Sequence, residues 1–174
     1  ELPAMKSEAG KKVWEGYKNW IGTKATSDET GYGDYGGNAD RGGNSHGPHM
    51  TWVGMFQRQI LDFPSDDPML AKASNHTMEY IKGGKWIGTE KMGSVYGIYY
   101  GTLAAFQQQG KLWKMWNAGM KKTLIPNQQK GSTKELGGSW DPTDCHTGHK
   151  GGRVLTTALA ALCLEVYYRY DVMH

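Results

Sequence analysis

Cysteine and phenylalanine are scarce in this 174-residue chain, which has two of the first and three of the second. Two thiols cannot build the disulfide framework of a small secreted scaffold. No apolar run approaches the roughly 18–20 residues that a helix needs to cross a bilayer, so no transmembrane segment is expected. No n-region or h-region of a secretory signal is read in the residues given, which leaves a cleaved signal open. Charge of one sign is also lacking. Lys and Arg total 20 against 17 acidic residues, for a formal net charge of +3. There is no basic arm, and no nucleic-acid partner is expected.

What remains is ordinary in bulk and unusual in detail. Apolar residues make up 38% and charged residues 21%, a balance that excludes a disordered chain. The length suits one domain, 1–174, with a core of its own. The excess lies in 25 Gly, 7 Trp and 10 Tyr. Glycine stands at about twice its usual share of ~7%. Aromatic-rich helices joined by glycine-rich loops are the expectation.

Periodicity places the helices. Val13, Tyr17, Trp20 and Ile21 share one face of a helix within residues 1–22. Residues 23–48 are glycine-rich, have no helical period and read as a long loop. Pro48 can open the next helix, Met50 to Leu61, with Trp52, Met55 or Phe56, and Ile60 in register. Pro64 stops it. Ser65 or Asp66 is expected to cap a third helix whose period is Leu70, Ser74, Thr77 and Ile81, closed by Gly83-Gly84. A fourth runs from near Gly93 to Gln109, with Val95, Ile98, Tyr99, Leu103 and Phe106 on one face. In the fifth, Leu112, Trp116, Met120 and Leu124 fall at strict i+4 spacing. A second loop covers 128–150. The last helix is expected from about Gly152 to Tyr170, with Val154, Ala158, Leu162, Val166 and Tyr170 as one stripe and Leu155 and Leu159 beside it. The reading is all-α: about six helices in hairpin repeats, 49–170, with no strand.

Few residues point to chemistry. Asp144, Cys145, His146 and His149, with Asp141 just before them, are of types and at spacings that can hold zinc; they equally suit a polar surface loop in which Asp141 caps a turn. Arg153 is out of place, because a cation at a helix start opposes the dipole there. A salt bridge to Asp141 or Asp144 would account for it. Cys163, among Ala160, Ala161, Leu162 and Leu164, reads as a small buried apolar residue. Its pairing with Cys145 is not expected: the helix between them spans roughly 16 Å at about 1.5 Å per residue, and a disulfide needs Cα atoms within ~7 Å. Asn75-His76-Thr77 is formally a glycosylation motif but falls inside a helix. Trp113 and Trp116 should take neighbouring faces. Tyr99 and Tyr100, like Tyr167 and Tyr168, should take opposed ones. Most such aromatics pack a core, and the rest could line a pocket for an apolar lipid.

Certain segments are more specific. Gly138-Ser139-Trp140-Asp141-Pro142, Gly151-Gly152-Arg153-Val154-Leu155-Thr156-Thr157 and Leu164-Glu165-Val166-Tyr167-Tyr168-Arg169-Tyr170 resemble the C-terminal signature of the prenyltransferase/squalene-oxidase repeat family. Met50 to Gln59, Tyr99-Tyr100-Gly101-Thr102, Trp113 to Asn117 and Gln128-Gln129 are similar to its bacterial branch. The resemblance covers residues 31–170. It implies a partial α/α toroid, since complete ones have about twelve helices and this chain supplies about half. It implies a structural element, Gln129…Gly138-x-Trp140, that ties one helix end to the next repeat by stacking amide on indole, with Arg153 and Glu165 in the following helix. It also implies an uncapped edge that a partner would cover.

The family's catalytic motifs are not matched. Its protein prenyltransferases hold zinc with an Asp and a Cys two residues later, whereas Asp144 and Cys145 are adjacent. The Asp-x-Asp-Asp acid of its cyclases is absent, as is the Cys-Gly-Glu-Gln run of related thioester domains. The expectation is therefore a non-catalytic interaction subunit with a protein partner or a second copy and no cofactor. The alternative is a prenyl- or triterpenoid-binding protein or enzyme, with zinc held at Asp144, Cys145, His146 and His149. The compartment is left open.

Overall fold

The structure is a computed structural model and describes residues 7–23, 49–83, 95–131, 136–142 and 148–172. Seven helices are present among the described residues, and no strand. They are α1 (Glu8–Thr23), α2 (His49–Ile60), α3 (Pro68–Lys82), α4 (Val95–Gln108), α5 (Gly110–Asn127), α6 (Gly148–Leu164) and α7 (Val166–Arg169). The expected last helix is thus two, broken at Glu165. Pro48, Gly84, Gly93, all of the first long loop but Thr23, and residues 132–135 and 143–147 of the second lie outside the described residues.

The helices form two layers. In one, α2, α4 and α6 lie side by side with α4 in the middle; in the other, α3 packs beside α5. Each helix of the second layer also touches its sequence neighbour in the first, and α1 packs on α2. The chain therefore zigzags between layers, as hairpin repeats require. None of the described helices is long and apolar enough to cross a membrane.

Two tryptophans hold the centre. Trp52 of α2 and Trp116 of α5 meet edge to face, with ring centroids 4.7 Å apart. Each indole N–H is satisfied by a threonine on the adjoining helix. Trp52 donates to Thr77 at 3.1 Å, and Trp116 donates to Thr102 at 3.0 Å. Both hydroxyls donate in turn to the carbonyl four residues back, those of Ala73 and Ile98. A buried indole needs an acceptor, and these threonines supply one without leaving a donor unpaired. Trp116 comes close to the α4 backbone because residue 101 is glycine; a Cβ there would collide with the indole edge.

The corner between α2 and α3 is polar and closed. Arg58 is buried, yet its guanidinium lies 3.2 Å from both carboxylate oxygens of Asp67 and 4.6 Å from the centre of the Phe63 ring. Burial lowers the Arg58 pKa, and Asp67 partly opposes that. The same Asp67 caps α3, accepting from the backbone N–H of Met69 and Leu70 at 3.0 Å. Ser65 and Asp66 do not cap, because Pro68 occupies the first turn and Asp67 directly precedes it.

Other expectations are corrected by the packing. In α1, Val13 is 72% exposed and Tyr17 is exposed; the docked face is Trp14, Trp20 and Ile21, set by Leu61 and Phe63 of the α2–α3 turn. Ile60 is exposed at the end of α2. Tyr99 and Tyr100 are not opposed. Both are half-buried with rings 5.3 Å apart, because consecutive helical positions differ by only about 100° and α4 is flanked on several sides. The Asn75-His76-Thr77 motif has its Thr77 hydroxyl buried under Trp52.

Candidate interaction surface

The segment between α5 and α6 carries the residues singled out by sequence. Gln128 leaves α5 in extended conformation and pairs as an isolated antiparallel bridge with Trp140. The backbone N–H of Gln129 donates to the Ser139 carbonyl at 2.8 Å, and that of Gly138 donates to the Gln129 carbonyl at 2.9 Å. Gly138 turns the chain at φ 82°, a left-handed conformation that suits glycine. The Gln128 amide donates to the Gly138 carbonyl at 2.9 Å. The buried indole of Trp140 donates to the Leu124 carbonyl at 2.8 Å, an acceptor left available at the end of α5 because the Gln128 N–H turns to Ile125. Hydrogen bonds thus link Gln128, Gln129, Gly138, Ser139 and Trp140 across the segment between α5 and α6.

Arg153 completes the clamp. Gly152 breaks α6 at φ 68°, so Arg153 opens the uninterrupted helix that follows. Its guanidinium donates to Asp141 at 3.0 Å and to the Ser139 hydroxyl at 3.2 Å. Asp141 is the partner that makes a cation tolerable at this helix start. Thr157 also accepts from the Trp140 backbone N–H at 3.2 Å. Glu165, by contrast, does not join this group. It sits at the α6–α7 break and pairs with Arg169 at 3.4 Å on the surface.

Of the proposed zinc ligands, His149 is exposed in the first turn of α6, and Asp144, Cys145 and His146 lie outside the described residues. Among the described residues no group of three or more His, Cys, Asp or Glu could hold a metal ion. Cys163 is free and buried, with its thiol pKa pushed up to about 12 by that burial, against a smaller opposing hydrogen bond with Thr102.

The face that α6 turns to α4 is not the one periodicity suggested. Thr156, Ala160 and Cys163 are buried, with Leu159 and Leu164 partly so. Val154 is 84% exposed, and Leu155 and Ala158 are exposed beside it. The physical reason is the close approach of α6 to α4, which favours small side chains at the contact and leaves the larger ones outside. From Val154 to Leu164 no residue is charged. This helix is therefore apolar on both sides, and only one side is covered. Of the stripe read from the sequence, Val166 is fully buried and Leu162 and Tyr170 are half-buried, while Val154 and Ala158 are exposed; the clue to the covered face was the run of small residues opposite.

A second surface is aromatic. Phe56, Tyr96, Tyr99 and Tyr100 are half-buried on α2 and α4, with Tyr96 and Tyr100 centroids 4.8 Å apart. Burial raises the Tyr99 pKa, helped by its hydrogen bond with Tyr170. Next to them Tyr167 packs on Phe106 and Trp113, while Tyr168 is 90% exposed. No family model, no curated protein and no solved structure matches this chain.

Proposed function

We propose that the chain is a non-catalytic helical-repeat subunit, of the kind found in the prenyltransferase/squalene-oxidase repeat family, that holds a protein partner or a second copy at the open edge of its array. The supporting observation is the outer face of α6. Val154, Leu155 and Ala158 stand in solvent on a helix with no charge between 154 and 164. Burying one Val or Leu side chain is worth about 1.5–3 kcal/mol, so such a face gains by being covered. The clamp at Trp140 and Arg153 fixes where this helix starts and hence where its outer face points.

The test is the size of the native protein and of a Val154→Asp variant, measured by light scattering and in extract. A species larger than the 19.3 kDa monomer that the variant returns to monomer size is the expected result. A wild type that stays monomeric in both settings removes the proposal.

The half-buried aromatics Phe56, Tyr96 and Tyr100 favour a second reading, a site for a prenyl or triterpenoid chain, with zinc at Asp144, Cys145, His146 and His149 if the protein is an enzyme. One zinc per purified chain, or saturable binding of a fluorescent prenyl analogue lost in Tyr100→Ala, would establish it. Absence of both would discard it.

A further inference from the structure

Surface charges are paired in place on three helices. Lys11 pairs with Glu8 on α1, Lys82 with Glu79 on α3, and Arg169 of α7 with Glu165 just before it. Helix α5 has four lysines and no carboxylate of its own. Lys111, Lys114, Lys121 and Lys122 are all exposed. No Asp or Glu occurs anywhere from 95 to 131, and none of these four lysines has a carboxylate within ion-pair range among the described residues. At about 100° per residue the four share one face, spread along about 16 Å of helix. Lys121 lies 5.0 Å from the centre of the Tyr167 ring, which orients it beside the stripe. Between the lysines the face holds Ala118 and the exposed Ile125.

From this we infer that the outer face of α5 docks an acidic segment of a partner protein. The inference rests on the proposed role in protein binding and adds the chemistry of what is bound. Like charges in a row repel one another and are steadied by a row of opposite sign, so the stripe selects a partner with carboxylates along one edge. One stripe of four lysines, on a chain of net charge only +3, falls short of the basic footprint that nucleic acid calls for, which favours a partner edged with carboxylates. The face has one bulky apolar residue, Ile125, too little to seat a helix in a lipid surface.

The experiment uses fluorescent poly-L-glutamate as the probe, titrated at low and at physiological salt. The test variant is Lys111→Gln, Lys114→Gln, Lys121→Gln and Lys122→Gln together, and the control neutralises Lys11, Lys12, Lys72 and Lys82 in the same way. Salt-sensitive binding that weakens about tenfold in the α5 variant and stays within about twofold in the control is expected. Equal loss in both variants, or no binding by a wild type of native fold, overturns the inference. So does tighter binding of an oligothymidylate or of phosphatidylserine vesicles than of polyglutamate. Salt-sensitive self-association lost in the α5 variant would hand the face to a second copy and overturn it as well. Val154→Asp should leave polyglutamate binding unchanged, so failure on α5 and failure on α6 are read separately.

Discussion

Helices α4 and α6 are alike in composition and unlike in position. Neither has a charged residue in its main body, and both carry small residues where they touch. Yet α4 is enclosed by α2, α5, α6 and α7, so that ten of its residues are buried. In α6 only Gly148, Thr156, Ala160 and Cys163 are buried. A helix with the make-up of an interior element thus stands at the end of a row. The difference teaches that apolar composition does not by itself place a helix in the interior: with fewer neighbours, α6 keeps one apolar face in solvent, and that is the face the proposed role would use.

The sharpest way to break that comparison is to place one charge on each side of α6. Ala160→Asp puts a carboxylate against α4 with no partner and should cost several kcal/mol, enough to leave no cooperative thermal transition. Val154→Asp should change stability by no more than about 0.5 kcal/mol in the isolated chain. Equal effects would mean that the two sides are equally buried. A gentler version adds bulk. Gly101→Val drives a branched side chain into the Trp116 indole and should cost about 2–3 kcal/mol in denaturant unfolding, whereas Ala158→Val on the outer face should cost almost nothing.

Smaller effects sharpen the enclosed side. Thr102→Val keeps the shape of the side chain but removes the acceptor for the Trp116 N–H, and should cost about 1–3 kcal/mol. The last test uses pH. His49 meets the edge of Trp52, with ring centroids 5.4 Å apart, and burial lowers its pKa from the ordinary 6.5. Above 6.5 it is neutral in both folded and unfolded chains. As pH falls through that value the unfolded chain takes the proton first, so stability should decline on the acid side. Denaturant midpoints measured from neutral to mildly acid pH should show a shallower decline in His49→Gln than in the wild type.

Much of this fold was legible because spacing alone revealed it. The row Leu112, Trp116, Met120 and Leu124 is fully buried, and the period Leu70, Ser74, Thr77 and Ile81 faces the core or its margin. The cost of a cation at a helix start pointed to a partner for Arg153 at Asp141 or Asp144, and Asp141 fills that place. Periodicity failed where a helix is apolar on two sides, as in α6, because the pattern then names two faces and ranks the wrong one first. It failed in α1 because Val13 and Trp14 are adjacent and the choice between them is made by Leu61 and Phe63, far along the chain. Arg58 went unremarked within its apolar run. Its signal was Asp67 at the next helix start, one carboxylate asked to serve both a cap and a buried cation.

The paired indoles at the centre carry one more consequence. Each threonine hydroxyl is tethered to its own helix while its oxygen receives the indole of the facing one, and that of Thr102 also lies 3.3 Å from the Met120 sulfur. Turning any of the four helices by one position would strand a tryptophan and a hydroxyl together. The bundle accordingly has one phase, much as a key has one seating, and a partner that meets its rim meets the same contour every time.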